Sequence, residues 1–161
     1  MIEGVYSVLT ATFTFIISWV VFLVFSNKNK FPLYVLTGYI GIILALITDL
    51  LIFVYPLWNY PGTRFGTFGI QLLNGFGLYF VIIYFFLQTL PKTQTILSVT
   101  RHIFYWSLFA IMLELFYLWI GFIEHGLWWN TGFSYIADWI LFVCFFLHHK
   151  WLSSYSYIKA H

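Results

Sequence analysis

The chain has 161 residues, of which 62% are hydrophobic and 7% are charged, and its mean hydropathy is +0.91. Because a soluble domain carries about 25% charged residues, this composition excludes a soluble globular protein and predicts a polytopic membrane protein. Basic charge is too sparse for a nucleic-acid partner, and the single cysteine excludes a disulfide or a cysteine-based metal cluster.

The first two apolar runs cover residues 5–25 and 33–54. The only early charge is Glu3 and the first run ends in lysines, so we expect a retained span and not a cleaved signal peptide. Pro32 precedes the second run and suits a first helical turn. Pro56 lies just beyond its end and stops the helix.

The remaining runs cover residues 68–90, 103–123 and 131–147, the last being the shortest. Each run is close to the roughly 20 residues that cross a bilayer as a helix. The five runs consume most of the chain and leave only short loops. We therefore predict an all-α integral membrane protein, a five-helix transmembrane bundle forming one domain over residues 1–161.

The orientation follows from lysine and arginine. With five spans, six basic residues fall on one side, and only Arg64 falls on the other. Cytoplasmic loops carry the excess of basic residues. We therefore expect the N-terminus outside, the C-terminus in the cytoplasm, and a multi-pass protein of the cell membrane. The six residues are Lys28, Lys30, Lys92, Arg101, Lys150 and Lys159.

Three of the five acidic residues lie inside predicted spans, where ionisable groups are costly and point to the bundle interior. At 1.5 Å rise per residue, Asp49 and Asp138 lie roughly 8 and 9 Å below the outer boundary and Glu114 roughly 14 Å. Gln71 and Asn74 fall in the outer half of the third span. A buried acid without a counter-ion stays protonated or holds a cation. Each acid alone fits equally well a protonated side chain that only bonds a neighbouring helix.

These residues predict a polar pocket in the outer half of the bundle, with a cover formed by the outer loops. No motif indicates a metal or a cofactor, and we expect neither. The adjacent pair His148 and His149 points in directions about 100° apart on a helix, which suits interfacial anchoring better than a chelate. Most Trp and Tyr residues at span ends, Tyr60 included, fit a headgroup belt. The alternative is that some of them form an aromatic wall around a cationic or polyene ligand. The pocket candidates are Asp49, Gln71, Asn74, Glu114, Tyr117 and Asp138, and the cover candidates are Trp58, Arg64, His125, Trp128 and Trp129.

Several stretches resemble a family of small membrane proteins from spore-forming Gram-positive bacteria whose activity is not established. The resemblance covers roughly residues 40–152 and implies the same five-span architecture in a bacterial cytoplasmic membrane. It supplies no function, and the chain departs from it around residues 62–70. The matching stretches are Thr48-Asp49-Leu50-Leu51, Tyr55-Pro56-Leu57-Trp58-Asn59-Tyr60, Leu90-Pro91-Lys92, Glu114, Gly121-Phe122-Ile123, His125-Gly126, Trp128-Trp129-Asn130 and Leu147-His148-His149-Lys150.

Three functions remain open at this stage. The first is a binding protein, whose partners are membrane lipid and a hydrophobic or cationic small ligand. The second is an enzyme acting on an isoprenoid or another lipid, with Glu114 or Asp49 as general acid, by loose analogy with integral-membrane isoprenoid cyclases. The third is an accessory subunit, whose acids hydrogen-bond a helix of a membrane-protein partner.

Overall fold

The computed structural model describes residues 2–62 and 67–159, and five long helices dominate it. Each helix is long and apolar enough to cross a membrane, so the predicted number and kind of elements are confirmed. A 3₁₀ turn at Lys28–Lys30 leads directly into the second helix. The helices are α1 (Ile2–Phe25), α2 (Phe31–Val54), α3 (residues 67–88), α4 (Ile96–Trp119) and α5 (Thr131–Lys159).

Helix α3 is the centre of the bundle. In its most apolar stretch 61% of residues are buried, against 17% to 28% in the other four helices. It has three parts, an α-helical Thr67–Asn74, a π-helical turn Gly75–Tyr79 and an α-helical Phe80–Gln88. Two glycines of α2 let α3 approach closely, since the Phe80 ring lies against Gly38 and the Ile83 side chain against Gly41.

The predicted limits of the fourth span are wrong at both ends. Helix α4 begins at Ile96 rather than near residue 103, because the Thr95 side chain caps it by accepting a hydrogen bond from the Ser98 N–H at 3.2 Å. A capping residue is polar, so the apolar run underestimates the helix. Helix α5 likewise continues to Lys159, well past the predicted end near residue 147.

Gly121 explains why α4 stops at Trp119 rather than at residue 123. Its backbone has φ +70°, the left-handed conformation that glycine adopts most easily after a helix. The Gly121 N–H donates to Leu118 O at 3.1 Å, and the Phe122 N–H donates to Tyr117 O at 2.9 Å. This is the Schellman pattern, and its usual apolar contact is present, since the Phe122 and Tyr117 rings lie 5.0 Å apart.

The reversal at Gly121 lets two loops meet as a small antiparallel ribbon. Strand β1 (Trp58–Asn59) pairs with β2 (Glu124–His125), with Trp58 opposite His125. The Gly126 N–H adds a hydrogen bond to Leu57 O at 2.7 Å. Helix α1 is tied to the same end, because the Ser7 hydroxyl donates to Pro61 O at 3.0 Å. We call this end of the bundle the ribbon end.

The opposite end is held by side chains bonded to backbone. Gln88 of α3 accepts from the Asn27 N–H at 2.6 Å and donates to Phe25 O at 3.0 Å. The Tyr84 hydroxyl donates to Asn27 O at 2.7 Å. Lys28 and Lys30 lie in the turn bonded in this way, and Lys92 follows α3 in the next loop. We call this the lysine-rich end.

Candidate functional site

The site is built around Asp49 of α2, near the ribbon end. Its side chain is buried, with 9% of the residue exposed. Within the described residues the Asp49 Oδ2 atom is fully buried and has no hydrogen-bond partner. A buried acceptor of this kind is costly, and native proteins rarely leave one unsatisfied without a functional reason.

Asn74 of α3 and Tyr60 form the second part of the site. Both residues are buried, and Asn74 Nδ2 donates to the Tyr60 hydroxyl oxygen at 3.2 Å. In the part of the chain that the structure describes, Asn74 Oδ1 has no partner. Burial raises the pKa of the Tyr60 phenol far above its usual range, and the negative charge of Asp49 raises it further. Asp49 therefore lies within electrostatic reach of the phenol to which Asn74 is hydrogen-bonded.

Tyr79 connects this group to the fifth helix. It occupies the last position of the π-helical turn, and its phenol is within electrostatic reach of both Asp49 and Asp138, as well as of Tyr60 and Tyr117. A π-helical turn inside an α-helix often marks a functional site, because it turns side chains out of the regular helical register. Here the turn directly follows Asn74.

Glu114 of α4 meets the ribbon through His125. Glu114 Oε1 and His125 Nε2 lie 2.9 Å apart, and about a fifth of each side chain is exposed. Asp138 of α5 is close enough to Glu114 for the two charges to interact. The described groups thus bring together three carboxyls, three phenols and one amide, with a single imidazole as counter-group. We call this set the acid cluster, and it comprises Asp49, Tyr60, Asn74, Tyr79, Glu114, Tyr117, His125 and Asp138.

Aromatic side chains lie over the acid cluster at the ribbon end. The Trp58 and Trp129 rings are 5.6 Å apart, and Trp129 Nε1 donates to the Ser134 hydroxyl at 2.8 Å. Trp128 is mostly exposed. Beneath the ribbon, Tyr60 packs against Phe122 with ring centroids 5.2 Å apart. The loops are therefore a packed cover and not a loose surface.

The predicted residues are placed as follows. Gln71 is buried and lies one helical turn before Asn74. Tyr117 exchanges a hydrogen bond with Thr14 of α1 at 3.2 Å. His125, Trp58 and Trp129 lie at the ribbon, and Arg64 is outside the described residues. The acids predicted from separate helices are linked electrostatically, through Tyr79 and through the Asp138–Glu114 pair.

Two phenols of the acid cluster were missed from the sequence. Tyr60 was interpreted as a headgroup-belt residue, which is wrong, because only 6% of it is exposed. It lies in a Pro-containing loop that folds inward, so that Tyr60 packs with Ala11 of α1 and Ile70 of α3. The local sequence of the loop does not show these contacts. Tyr79 carried no signal, because a π-helical turn has no recognisable sequence pattern.

The chemistry of the acid cluster is that of a site rich in acceptors. Among the residues described, no group of three or more His, Cys, Asp or Glu side chains could hold a metal ion. The unsatisfied atoms at Asp49 and Asn74 are both oxygens. A complementary ligand must therefore bring donors or positive charge.

No protein-family model, curated protein or solved structure matches this chain. Its class therefore rests on its own architecture, an all-helical chain with five helices that are long and apolar enough to cross a membrane.

Proposed function

We propose that the protein binds a small amphiphilic ammonium ion in the acid cluster. The observation that carries the proposal is the pair of buried, unpartnered oxygens Asp49 Oδ2 and Asn74 Oδ1. Asn74 is hydrogen-bonded to Tyr60, and the charge of Asp49 acts on the same phenol. Leaving a buried acceptor unsatisfied costs about 1–3 kcal/mol, and more for a charged group. A primary ammonium has three donors and one positive charge, which is enough to satisfy both oxygens.

A proton alone serves this site less well. A proton on Asp49 Oδ2 supplies one hydrogen-bond donor, whereas a primary ammonium supplies three donors and a full positive charge. The cation also offsets the negative charges of Asp138 and Glu114, whereas a proton on Asp49 only neutralises Asp49 itself.

The surroundings of the acid cluster favour an amphiphile over a small inorganic cation. Tyr60 and Phe122 offer ring faces to a cation. Both rings belong to an apolar cluster that also contains Ala11 and Ile70. The charged head of the ligand is expected to contact Asp49 and Asn74, and its hydrocarbon part to contact Ile70.

The same proposal includes the membrane arrangement. We infer that the five helices cross a bacterial cytoplasmic membrane with the ribbon end outside. The support is the charge asymmetry, since Lys28, Lys30 and Lys92 lie at the end away from the ribbon. The acid cluster then faces the outer leaflet, and its ligands are membrane lipids or amphiphiles dissolved in that leaflet.

The orientation is tested with single cysteines placed at either end. In a Cys144→Ala background, Asn59→Cys marks the ribbon and Asn29→Cys marks the lysine-rich end, and both positions are exposed. A membrane-impermeant maleimide added to intact cells should label residue 59 at once and residue 29 only after permeabilisation. The reverse order would overturn the arrangement.

Ligand binding is tested with two amphiphiles that share a tail and a charge. Dodecylammonium has three N–H donors and dodecyltrimethylammonium has none. We expect the purified protein in nanodiscs to bind dodecylammonium about tenfold more tightly, the factor for one charge-assisted hydrogen bond. Asp49→Asn should remove most of this preference, measured by calorimetry or by quenching of tryptophan fluorescence.

Glu124→Gln is the matched control. Glu124 carries the same charge at the same end and is exposed on β2, outside the acid cluster. It should leave the preference within about twofold, since an exposed charge contributes little. Equal binding of both amphiphiles by the native protein, or an equal loss in Glu124→Gln, would refute an ammonium site at Asp49.

A further inference from the structure

A second polar group lies at the lysine-rich end, where the sequence predicted only interfacial anchoring. His149 of α5 is 8% exposed, and its ring packs edge-to-face against Tyr34 of α2 at 5.3 Å. Its Nδ1 atom is fully buried and has no hydrogen-bond partner within residues 2–62 and 67–159. The expectation that His149 sits at the interface is therefore wrong.

Two further groups lie near His149. His148 Nδ1 is 3.0 Å from the hydroxyl of Thr37, which is completely buried. The positive charge of Lys30 and the adjacent His148 both act on the His149 ring. Lys30 is the residue at which α2 begins, where the positive end of the helix dipole adds to its charge.

The charge that acts on His149 is opposite in sign to the charge of the acid cluster. No carboxylate among the described residues acts on His149, since the charges that reach it are those of His148 and Lys30. A metal does not fit, because the described residues hold no group of three or more His, Cys, Asp or Glu side chains that could bind one. An anion with several acceptor oxygens is the complement, and phosphate has that chemistry.

We propose that Lys30, His148 and His149 form a binding site for a phosphate group at the lysine-rich end. The buried His149 imidazole donates one hydrogen bond, and Lys30 supplies the charge from the rim. The phosphate is that of a phospholipid headgroup or a free phosphate ion. The site is independent of the ammonium site, because it uses different helix ends and different side chains.

The test uses the full-length protein in nanodiscs of a neutral galactolipid, which carries no phosphate. Phosphatidic acid is titrated in one arm and inorganic phosphate in the other, and bound ligand is counted by native mass spectrometry. The native protein should retain phosphatidic acid. His149→Phe keeps the ring against Tyr34 but removes both nitrogens, and it should weaken binding about tenfold, as the loss of a charge-assisted hydrogen bond requires.

Lys30→Gln should weaken binding to a similar extent, and Lys92→Gln is its matched control. Both lysines lie at the same end and both are exposed, so general attraction of an anionic lipid acts on both. Of the two, only Lys30 acts electrostatically on His149. Equal losses in Lys30→Gln and Lys92→Gln would mean surface attraction only and would overturn the site.

The two arms separate the sources of phosphate. Competition by inorganic phosphate at millimolar concentration assigns a free-phosphate site, and retention of phosphatidic acid without such competition assigns a headgroup site. If His149→Phe is unstable on thermal melting, His149→Gln takes its place, because its amide retains a donor and should recover part of the binding. Full binding by a folded His149→Phe protein would refute the proposal.

Discussion

The two ends of the bundle are closed in different ways. At the ribbon end, backbone bonds to backbone across β1 and β2, and Gly121 and Gly126 make the close approach feasible. At the lysine-rich end, the side chains of Gln88 and Tyr84 bond the backbone of the first turn. The ends also differ in charge, with carboxyls near the ribbon and cations near the other end.

The difference follows from the lengths of the loops. The turn after α1 is too short for a strand, so its polar backbone groups are satisfied by side chains from α3. The loops after α2 and α4 are longer, and a long loop needs internal hydrogen bonds to lie over an apolar bundle. The stability of the ribbon end should therefore depend on the conformation of its glycines and on the space around them. The stability of the lysine-rich end should depend on single polar side chains.

The largest expected effect comes from Gly126→Ala. A Cβ at this position would overlap the carbonyl oxygen of Pro56, so the ribbon must open or shift. We expect a loss of about 1–3 kcal/mol in the free energy of unfolding, the usual cost of overpacking. The measurement is unfolding in SDS followed by tryptophan fluorescence.

Gly69→Ala is the control for this change. No atom lies within 4 Å of a Cβ at Gly69, and alanine favours a helix over glycine by about 1 kcal/mol. The variant should therefore be as stable as the native protein or more so. If both variants were equally destabilised, crowding at Pro56 would not be the cause.

Gly121→Ala tests the cost of the left-handed backbone conformation in the absence of steric crowding. No atom lies within 4 Å of a Cβ here, but φ is +70°. A non-glycine residue in the left-handed region costs about 1–2 kcal/mol, so we expect that loss, measured by the same unfolding. Gly121→Asn should cost less, because asparagine tolerates this conformation. An asparagine variant worse than the alanine variant would contradict a Schellman turn.

Gln88→Met examines the lysine-rich end. Methionine keeps the length of the side chain and removes both hydrogen bonds to the first turn, so we expect a loss of about 1 kcal/mol. Lys92→Met, in the exposed loop that follows, should change stability little. Hydrogen exchange at Asn27 should rise in Gln88→Met alone, and unchanged exchange there would show that another group closes this end.

The smallest effect is expected for the Glu114–His125 pair. A double-mutant cycle with Glu114→Gln and His125→Gln should give a coupling energy of about 0.5 kcal/mol, because the pair is partly exposed. A coupling above about 2 kcal/mol, typical of buried charge pairs, would mean that the ribbon depends on this contact more than on its backbone.

The sequence predicted those features that depend on composition and run length. Five apolar runs became five helices, and Asp49 and Asn74 were expected in a common polar region. Features that depend on one backbone angle or one cap were missed. The cap at Thr95 moved the start of α4, and the left-handed Gly121 moved its end.

The burial of two side chains, Tyr60 and His149, was also not predicted, for one physical reason. Tyrosine is enriched at membrane interfaces, and His149 stands beside Lys150 at the end of an apolar run. Both Tyr60 and His149 are nevertheless buried. Their positions depend on how a loop or helix packs against a distant element, Phe122 in one case and Tyr34 in the other. A local sequence pattern does not show contacts between distant segments of the chain.

The π-helical turn at Gly75–Tyr79 changes which faces α3 presents to its neighbours. Such a turn holds one residue more than an α-helical turn, so the segments before and after it are out of phase by about 100°. Thr67–Asn74 can thus present Asn74 to Tyr60, while Phe80–Gln88 presents Phe80 and Ile83 to the glycines of α2. Deleting one residue from the turn would restore a regular helix and force these two faces to compete for a single orientation. The extra residue of the turn therefore lets one helix contact both the acid cluster and α2.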